Sequence, residues 1–225
     1  MSTLKKIIAI IISVTLIAAA SATAMAETYF SDGKFEFIKT DKGNGLITGC
    51  ELTKPCINVP EFVLDYPIAG IYDYAFMEVP TLRRITMPLS IVSIGEFAFA
   101  NNSQTFIVKI PKYCSQIDST AFFHSPNAVI VGRSDSYAAQ YAADNNIDFI
   151  SEEDYILGDV NGDRRLSIRD VTCIQLYLVE VLGYELDNKK MALADVNADG
   201  KVNIRDATCI QMFKVDLIKD FDNLT

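Results

Sequence analysis

With 225 residues, half of them hydrophobic, the chain is long enough to bury one small and one medium core. A net charge of −9 argues against a nucleic-acid binder, whose phosphate partners call for clustered Lys and Arg. Five cysteines cannot all pair within the chain, and a single histidine excludes a His-rich metal constellation.

The first stretch sets the compartment. Lys5 and Lys6 form a positive n-region, Ile7 to Ala20 an apolar h-region, and Ala24-Met25-Ala26 a small-x-small cleavage pattern, which predicts a secretory signal over 1–26 removed before Glu27. The competing reading is a retained membrane anchor, but the apolar run falls short of the ~20 residues that a spanning helix needs. The mature chain is expected to be secreted, extracellular, and exposed to calcium and oxidising conditions.

Residues 27–56 are polar and turn-rich, and Phe35-Glu36-Phe37-Ile38 and Gly45-Leu46-Ile47-Thr48 predict a capping hairpin around Asp41-Lys42-Gly43-Asn44. Cys50 and Cys56 are close enough in sequence to close a small loop as a disulfide. Two separate thiols are the alternative, because sequence does not supply the Cα separation.

From Ile68 onward the chain repeats with a step of 23. Ile71, Ile94 and Ile117 keep it; so do Ala75, Ala98 and Ala121, then Phe76, Phe99 and Phe122, then Ile85, Val108 and Val131, with Pro88 and Pro111. Such a period predicts a solenoid of one strand and one turn per repeat. The strand positions are Arg83-Arg84-Ile85-Thr86-Met87, Phe106-Ile107-Val108-Lys109-Ile110 and Ala128-Val129-Ile130-Val131. The pattern Ile-x-x-x-Ala-Phe, a strand, then Ile/Met-Pro resembles the BspA-like leucine-rich repeats of bacterial surface and secreted proteins, over residues 57–150. It departs from the better-known leucine-rich pattern by lacking that pattern's asparagine position. Ile57-Asn58-Val59-Pro60 is similar to the strand end of an earlier, longer repeat, and Ser136 to Phe149 to the family's closing helix and strand. Residues 151–156, opening with Ser151-Glu152-Glu153-Asp154-Tyr155, read as a short acidic linker that keeps the two domains close without docking them rigidly.

The last part of the chain, 157–225, contains a duplication. Gly158 to Asp170 recurs, little changed, as Ala194 to Asp206. Calcium takes six to eight oxygens, and a twelve-residue loop delivers them from positions 1, 3, 5, 9 and 12 plus the carbonyl at 7. In the first loop these are Asp159, Asn161, Asp163, the Arg165 carbonyl, Ser167 and Asp170; in the second, Asp195, Asn197, Asp199, the Lys201 carbonyl, Asn203 and Asp206. The pair predicts two calcium ions, against the blander reading of solvated acidic turns. Position 6 is Gly200 in the second loop but Arg164 in the first, so strain is expected to weaken the first.

Each loop runs into a helix, Val171-Thr172-Cys173-Ile174-Gln175-Leu176-Tyr177-Leu178 and Ala207-Thr208-Cys209-Ile210-Gln211-Met212-Phe213-Lys214, with Leu186 to Ala194 as a connecting helix. This loop-then-helix pair, with Asp at position 12, resembles the type I dockerin family in the wording of rumen and gut cellulosome bacteria. The resemblance implies a non-catalytic plug for a cohesin module on a scaffoldin. It points to Ile168, Arg169, Gln175 and Leu176, with Ile204, Arg205, Gln211 and Met212, as cohesin contacts. The alternative for Ile168 and Ile204 is pairing in a small strand that bridges the loops. Because the two copies match, either helix could present the same face, giving two binding orientations. Cys173, Cys209 and Cys114 read as core.

The fold class expected is α+β: a short leucine-rich-repeat β-solenoid followed by a small all-α dockerin with two calcium-binding loop-helix motifs. No catalytic constellation stands out. His124 sits alone in a turn, and Asp73 and Glu96, a carboxylate pair in equivalent slots, are explained by solenoid stacking. The leading functional reading is a secreted, non-enzymatic cellulosome component in polysaccharide degradation, its repeats binding an unidentified protein or carbohydrate. The alternatives are a cell-surface adhesin tethered through the dockerin, and an unrecognised polysaccharide-degrading hydrolase.

Overall fold

A computed structural model of the chain describes residues 28–51 and 53–221. The predicted signal segment and its cleavage site lie outside the described residues. Among those residues no helix is long and apolar enough to cross a membrane.

The N-terminal cap has three strands rather than two. Strand β1 (Tyr29–Ser31) pairs antiparallel with β2 (Phe35–Lys39), and β2 with β3 (Gly45–Cys50). β1 is too short to show an alternation, so only its pairing reveals it. Phe35, Phe37 and Ile47 point into the same core as the repeats, so the cap seals the first coil instead of standing apart.

Each coil contributes two strands, not one, and the coils build two parallel ladders. One five-stranded sheet runs β12-β11-β9-β7-β4, from β4 (Cys56–Asn58), β7 (Arg84–Thr86), β9 (Phe106–Lys109), β11 (Ala128–Gly132) and β12 (Asp148–Ser151). The opposite sheet extends the cap in the order β1-β2-β3-β6-β8-β10, through β6 (Tyr66–Ile71), β8 (Ser93–Ile94) and β10 (Gln116–Ile117), with β5 (Phe62–Val63) paired to β6. These inner strands hold Ile71, Ile94 and Ile117. Two residues are too few to read as a strand, and the repeating isoleucines were the only trace of them.

The register changes in the last coil. Ile85 pairs with Val108, a step of 23, but Val108 pairs with Ile130, a step of 22. Val131, expected to follow Val108, therefore sits beside Lys109. The chain between Ser125 and β11 is one residue shorter than the corresponding stretch after Asn102, so every side chain of β11 moves by one place and changes face.

Aromatic stacking holds the coils together. Phe76 stacks on Phe99 at 5.4 Å between ring centroids, and Phe99 on Phe122 at 5.2 Å. Helix α1 (Tyr137–Asp144), capped by Ser136 accepting from the Ala139 amide, and the parallel strand β12 close the far end as expected. Tyr141 of α1 packs on Phe122 and donates its hydroxyl to the Asp118 carbonyl at 3.0 Å.

Beyond the solenoid lie α2 (Ile168–Leu178), α3 (Asn188–Ala194) and α4 (Ile204–Lys214). Val160, Val171, Ile174, Ala194, Val196, Ala207, Ile210 and Phe221 form a separate core between them. Phe213 joins it by stacking on Phe221, whereas Leu178 is 37% exposed because α2 ends there. The linker does not leave the two parts apart. Ile107, Val129, Val131 and Ile150, on the outer face of the five-stranded sheet, bury together with Ala192 and Leu193 of α3.

Candidate functional site

The duplicated loops are built from side chains that accept backbone N–H groups, which is how short acidic turns close without regular structure. In the first loop Asp159 Oδ1 accepts from the Gly162 and Asp163 amides and Oδ2 from Arg164 at 2.8 Å. In the second, Asp195 Oδ2 accepts from Gly200 at 3.0 Å. Asp170 accepts from the Asn161 and Ser167 amides, and Asp206 in the same way from Asn197 and Asn203. Positions 9 and 12 thereby form a capping box on each helix: Ser167 with Asp170, Asn203 with Asp206. The helices begin at position 10, three residues earlier than the sequence suggests. Ile168 and Ile204 thus stand in the first helical turns, 62% and 56% exposed, and pair in no strand.

Burial makes this arrangement costly without a counter-charge. Asp170 and Asp206 are fully buried, and burial pushes the Asp206 carboxyl up to about 6 despite two N–H donors. Burial also raises Asp159 and Asp195. Asp195 Oδ1 is buried and has no hydrogen-bond partner. Among the described residues no three His, Cys, Asp or Glu side chains gather as a metal cluster by themselves. The loops instead offer mixed oxygens, three carboxylates each with Asn or Ser side chains and carbonyls, the donor chemistry that a hard cation such as calcium accepts.

The strain expected to separate the loops is shared. Arg164 has φ +61° in the first, but Ala198 has φ +58° in the second, so each loop carries one non-glycine residue in the left-handed region.

The two helices present matching faces. Ile168, Arg169 and Gln175 are exposed and Leu176 half-buried; Ile204, Arg205, Gln211 and Met212 repeat that order position for position. Cys173 and Cys209 are half-buried against the helical core and Cys114 is fully buried in the solenoid, as expected. Cys50 lies at the end of β3 and Cys56 at the start of β4, in opposite sheets.

Two arginines that the sequence offered only as strand residues reach the second loop. Arg84 is 8% exposed and donates to the Asp195 carbonyl at 3.0 Å and the Val196 carbonyl at 3.2 Å. Arg83 Nε lies 3.9 Å from Asp195 Oδ2. Nearby, Asn188 accepts from the Thr105 hydroxyl and donates to Asp148, which Lys189 also approaches. A polar cavity of about 260 Å³ remains between Gln104, Thr105, Met191 and the two arginines. The legible sign was a strand column that is arginine in one coil and apolar in the next two, Arg84, Ile107 and Val129.

Elsewhere, Asp73 Oδ1 accepts from the Glu96 amide at 2.8 Å, so this carboxylate ties one coil to the next. His124 has φ +53°, in step with Glu78 and Asn101, and stacks on Phe123.

Comparison with known families agrees with this architecture. The model of the BspA type leucine rich repeat region matches residues 24–139 in six copies, and that of the dockerin type I domain matches residues 157–213. No curated protein matches the chain. Among solved structures, a leucine rich cell surface protein from Faecalibacterium prausnitzii A2-165 is similar at 19% identity and a TM-score of 0.37. That match covers 57% of this chain and 31% of the other, so the chain spans about a third of that protein. A leucine-rich repeat protein from Bacteroides capillosus ATCC 29799 is similar at 24% identity and a TM-score of 0.30, over 47% of this chain and 72% of that one. With two parallel ladders in 23-residue coils and a family model spanning more than half its length, the chain belongs to the BspA-type leucine-rich repeat family and carries a type I dockerin domain behind the repeats.

Proposed function

We propose that this chain is a secreted, non-enzymatic member of a cellulosome-type assembly, attached through its dockerin to a scaffoldin cohesin. Calcium, bound in the two loops, supplies the counter-charge for their buried carboxylates and fixes the loops from which α2 and α4 start. Asp159, Asn161, Asp163, Ser167 and Asp170, with the Arg165 carbonyl, hold one ion. Asp195, Asn197, Asp199, Asn203 and Asp206, with the Lys201 carbonyl, hold the other. Asp195 Oδ1, buried without a hydrogen-bond donor in a loop of three carboxylates, is the observation that carries the calcium reading.

The matched rows Ile168-Arg169-Gln175-Leu176 and Ile204-Arg205-Gln211-Met212 form the cohesin face. The repeats contribute a recognition surface for a protein or carbohydrate in polysaccharide degradation. Their carboxylates support this role rather than hydrolysis, because Asp73 is committed to a coil-to-coil hydrogen bond.

The test is binding of the full chain to a panel of cohesins, with calcium and with excess chelator. Nanomolar to micromolar binding to at least one cohesin, lost on chelation, is expected; equal affinity in both conditions, or no binding partner in the panel, would overturn the reading.

A further inference from the structure

Position 6 breaks the symmetry of the duplicated loops. In the first loop, Arg164 turns outward to Asp154 of the linker, 2.6 Å away. In the second, Gly200 has φ +85° and no side chain, and the Arg83 guanidinium lies where a Cβ would stand, so that a methyl group there would collide with its Nη2, Nε and Cζ. Both loops thus have a guanidinium near position 6, but the second takes it from the repeat domain.

Arg83 is anchored independently of the loop. Its Nη1 donates to the Pro80 and Leu82 carbonyls, each at 2.9 Å. Its Nε then faces Asp195 Oδ2 at 3.9 Å, with the two side chains only 18% and 12% exposed. Arg84 pins the backbone alongside through the Asp195 and Val196 carbonyls. The first loop also has a neighbouring cation, Arg169 Nη1 at 3.8 Å from Asp163 Oδ2, but that side chain is 80% exposed and water and salt screen it. The loops have the same number of aspartates, three each, and one strained non-glycine residue each, while Arg84 is a second guanidinium found only beside the second loop.

We infer that the repeat domain tunes its own dockerin, with Arg83 acting as a fixed cation that makes the second loop the weaker calcium site. This rests on the calcium reading of the loops. A positive charge held within about 4 Å of a ligand carboxylate, in a poorly solvated place, opposes a divalent ion at that carboxylate. A tenfold difference in affinity, about 1.4 kcal/mol, is the scale expected.

The experiment is calcium titration of the full chain by calorimetry at low salt. Asp163→Ala leaves the second loop as the binding site and Asp199→Ala leaves the first. Arg83→Met introduced with Asp163→Ala should raise calcium affinity about tenfold; Arg83→Met with Asp199→Ala should leave it unchanged, and Arg83→Lys should keep the second site weak. Arg83→Gln replaces Arg83→Met if the latter does not fold. Equal affinity of the two loops in the native chain, or an Arg83→Met effect that is absent or the same in both loops, would overturn the inference while leaving the calcium reading intact. Absence of calcium binding to the native chain would overturn both.

Discussion

Asn102 reaches from one coil to the preceding one and accepts the Val79 amide at 2.7 Å, 23 residues back. Its Nδ2 donates to the Phe76 and Phe99 carbonyls, and its own amide donates to Ser125 Oγ in the next coil. This is a single buried rung of the asparagine ladder that the sequence pattern lacks, with Val79 and Ser125 in the other coils' slots. Asn102→Leu leaves the Val79 amide and the Phe76 carbonyl buried without partners. At about 1–3 kcal/mol per orphaned group, a loss of about 3 kcal/mol is expected in urea unfolding followed by far-UV dichroism. A loss below about 1 kcal/mol would show that water enters to replace the side chain.

The aromatic stack predicts a gradient. Phe99 touches Phe76, Phe122 and Phe106, whereas Phe122 has the smaller Tyr141 contact at its outer side. Phe99→Ala should cost about 3–5 kcal/mol and Phe99→Leu about 1–2. Equal costs for the two substitutions would mean that volume is not what Phe99 supplies.

Thiol chemistry is expected to be uneven. Burial raises the Cys114 thiol to about 11, so at pH 8 almost none of it is thiolate. Alkylation of the native chain followed by peptide mapping should leave Cys114 unmodified until denaturant is added. Early labelling there would show that the third coil opens locally. The same mapping, without reductant, shows whether Cys50 and Cys56 are bonded.

Asp135 gives a pH dependence with a definite sign. The Arg133 guanidinium, with Lys112 beside it, holds this carboxyl well below the usual carboxylate range. A carboxyl lowered by folding contributes stability above its unfolded value of about 4, and that contribution fades as pH falls toward the folded value. Asp135→Asn should therefore lower the melting temperature slightly at pH 7, by less at high salt because the group is exposed, with the gap closing below about pH 4. A gap that widens in acid would contradict the ion-pair account.

The matched helix faces predict two cohesin orientations. Replacing Arg169 and Leu176, or Arg205 and Met212, should each leave binding within a few-fold of native, and only the quadruple change should abolish it. If the first pair alone abolishes binding and the second does nothing, a single orientation is used.

Much of this was legible in advance because repetition multiplies a weak pattern. Three coils in phase located Phe76, Phe99, Phe122 and the outer strands, and two copies of one loop marked where the loops lie. The two-residue strands β8 and β10 escaped because alternation needs length, and the slip at β11 because a 23-residue count does not see one missing residue after Ser125. Asn102 escaped because its role occurs once. The docking escaped for a different reason: the slip at β11 turns Val129 and Val131 to the outer face, and no periodicity says what covers such a face. A strand buried on both sides was the available clue.

The docking works as a caliper. Arg84 grips the second loop at one coil, while α3 rests on Ile107, Val129, Val131 and Ile150 in the coils that follow and Asn188 holds Asp148 in the last strand. The distance between these holds is counted in coils, so the number of coils from Arg84 to β12 is fixed by the size of the dockerin. Among the described residues before Arg83 no such gauge applies. Whole 23-residue coils can therefore be added or removed between the cap and Arg83 with the docking intact, whereas one coil inserted between Arg84 and Ile107 would pull Arg84 off Asp195 and free the dockerin to swing.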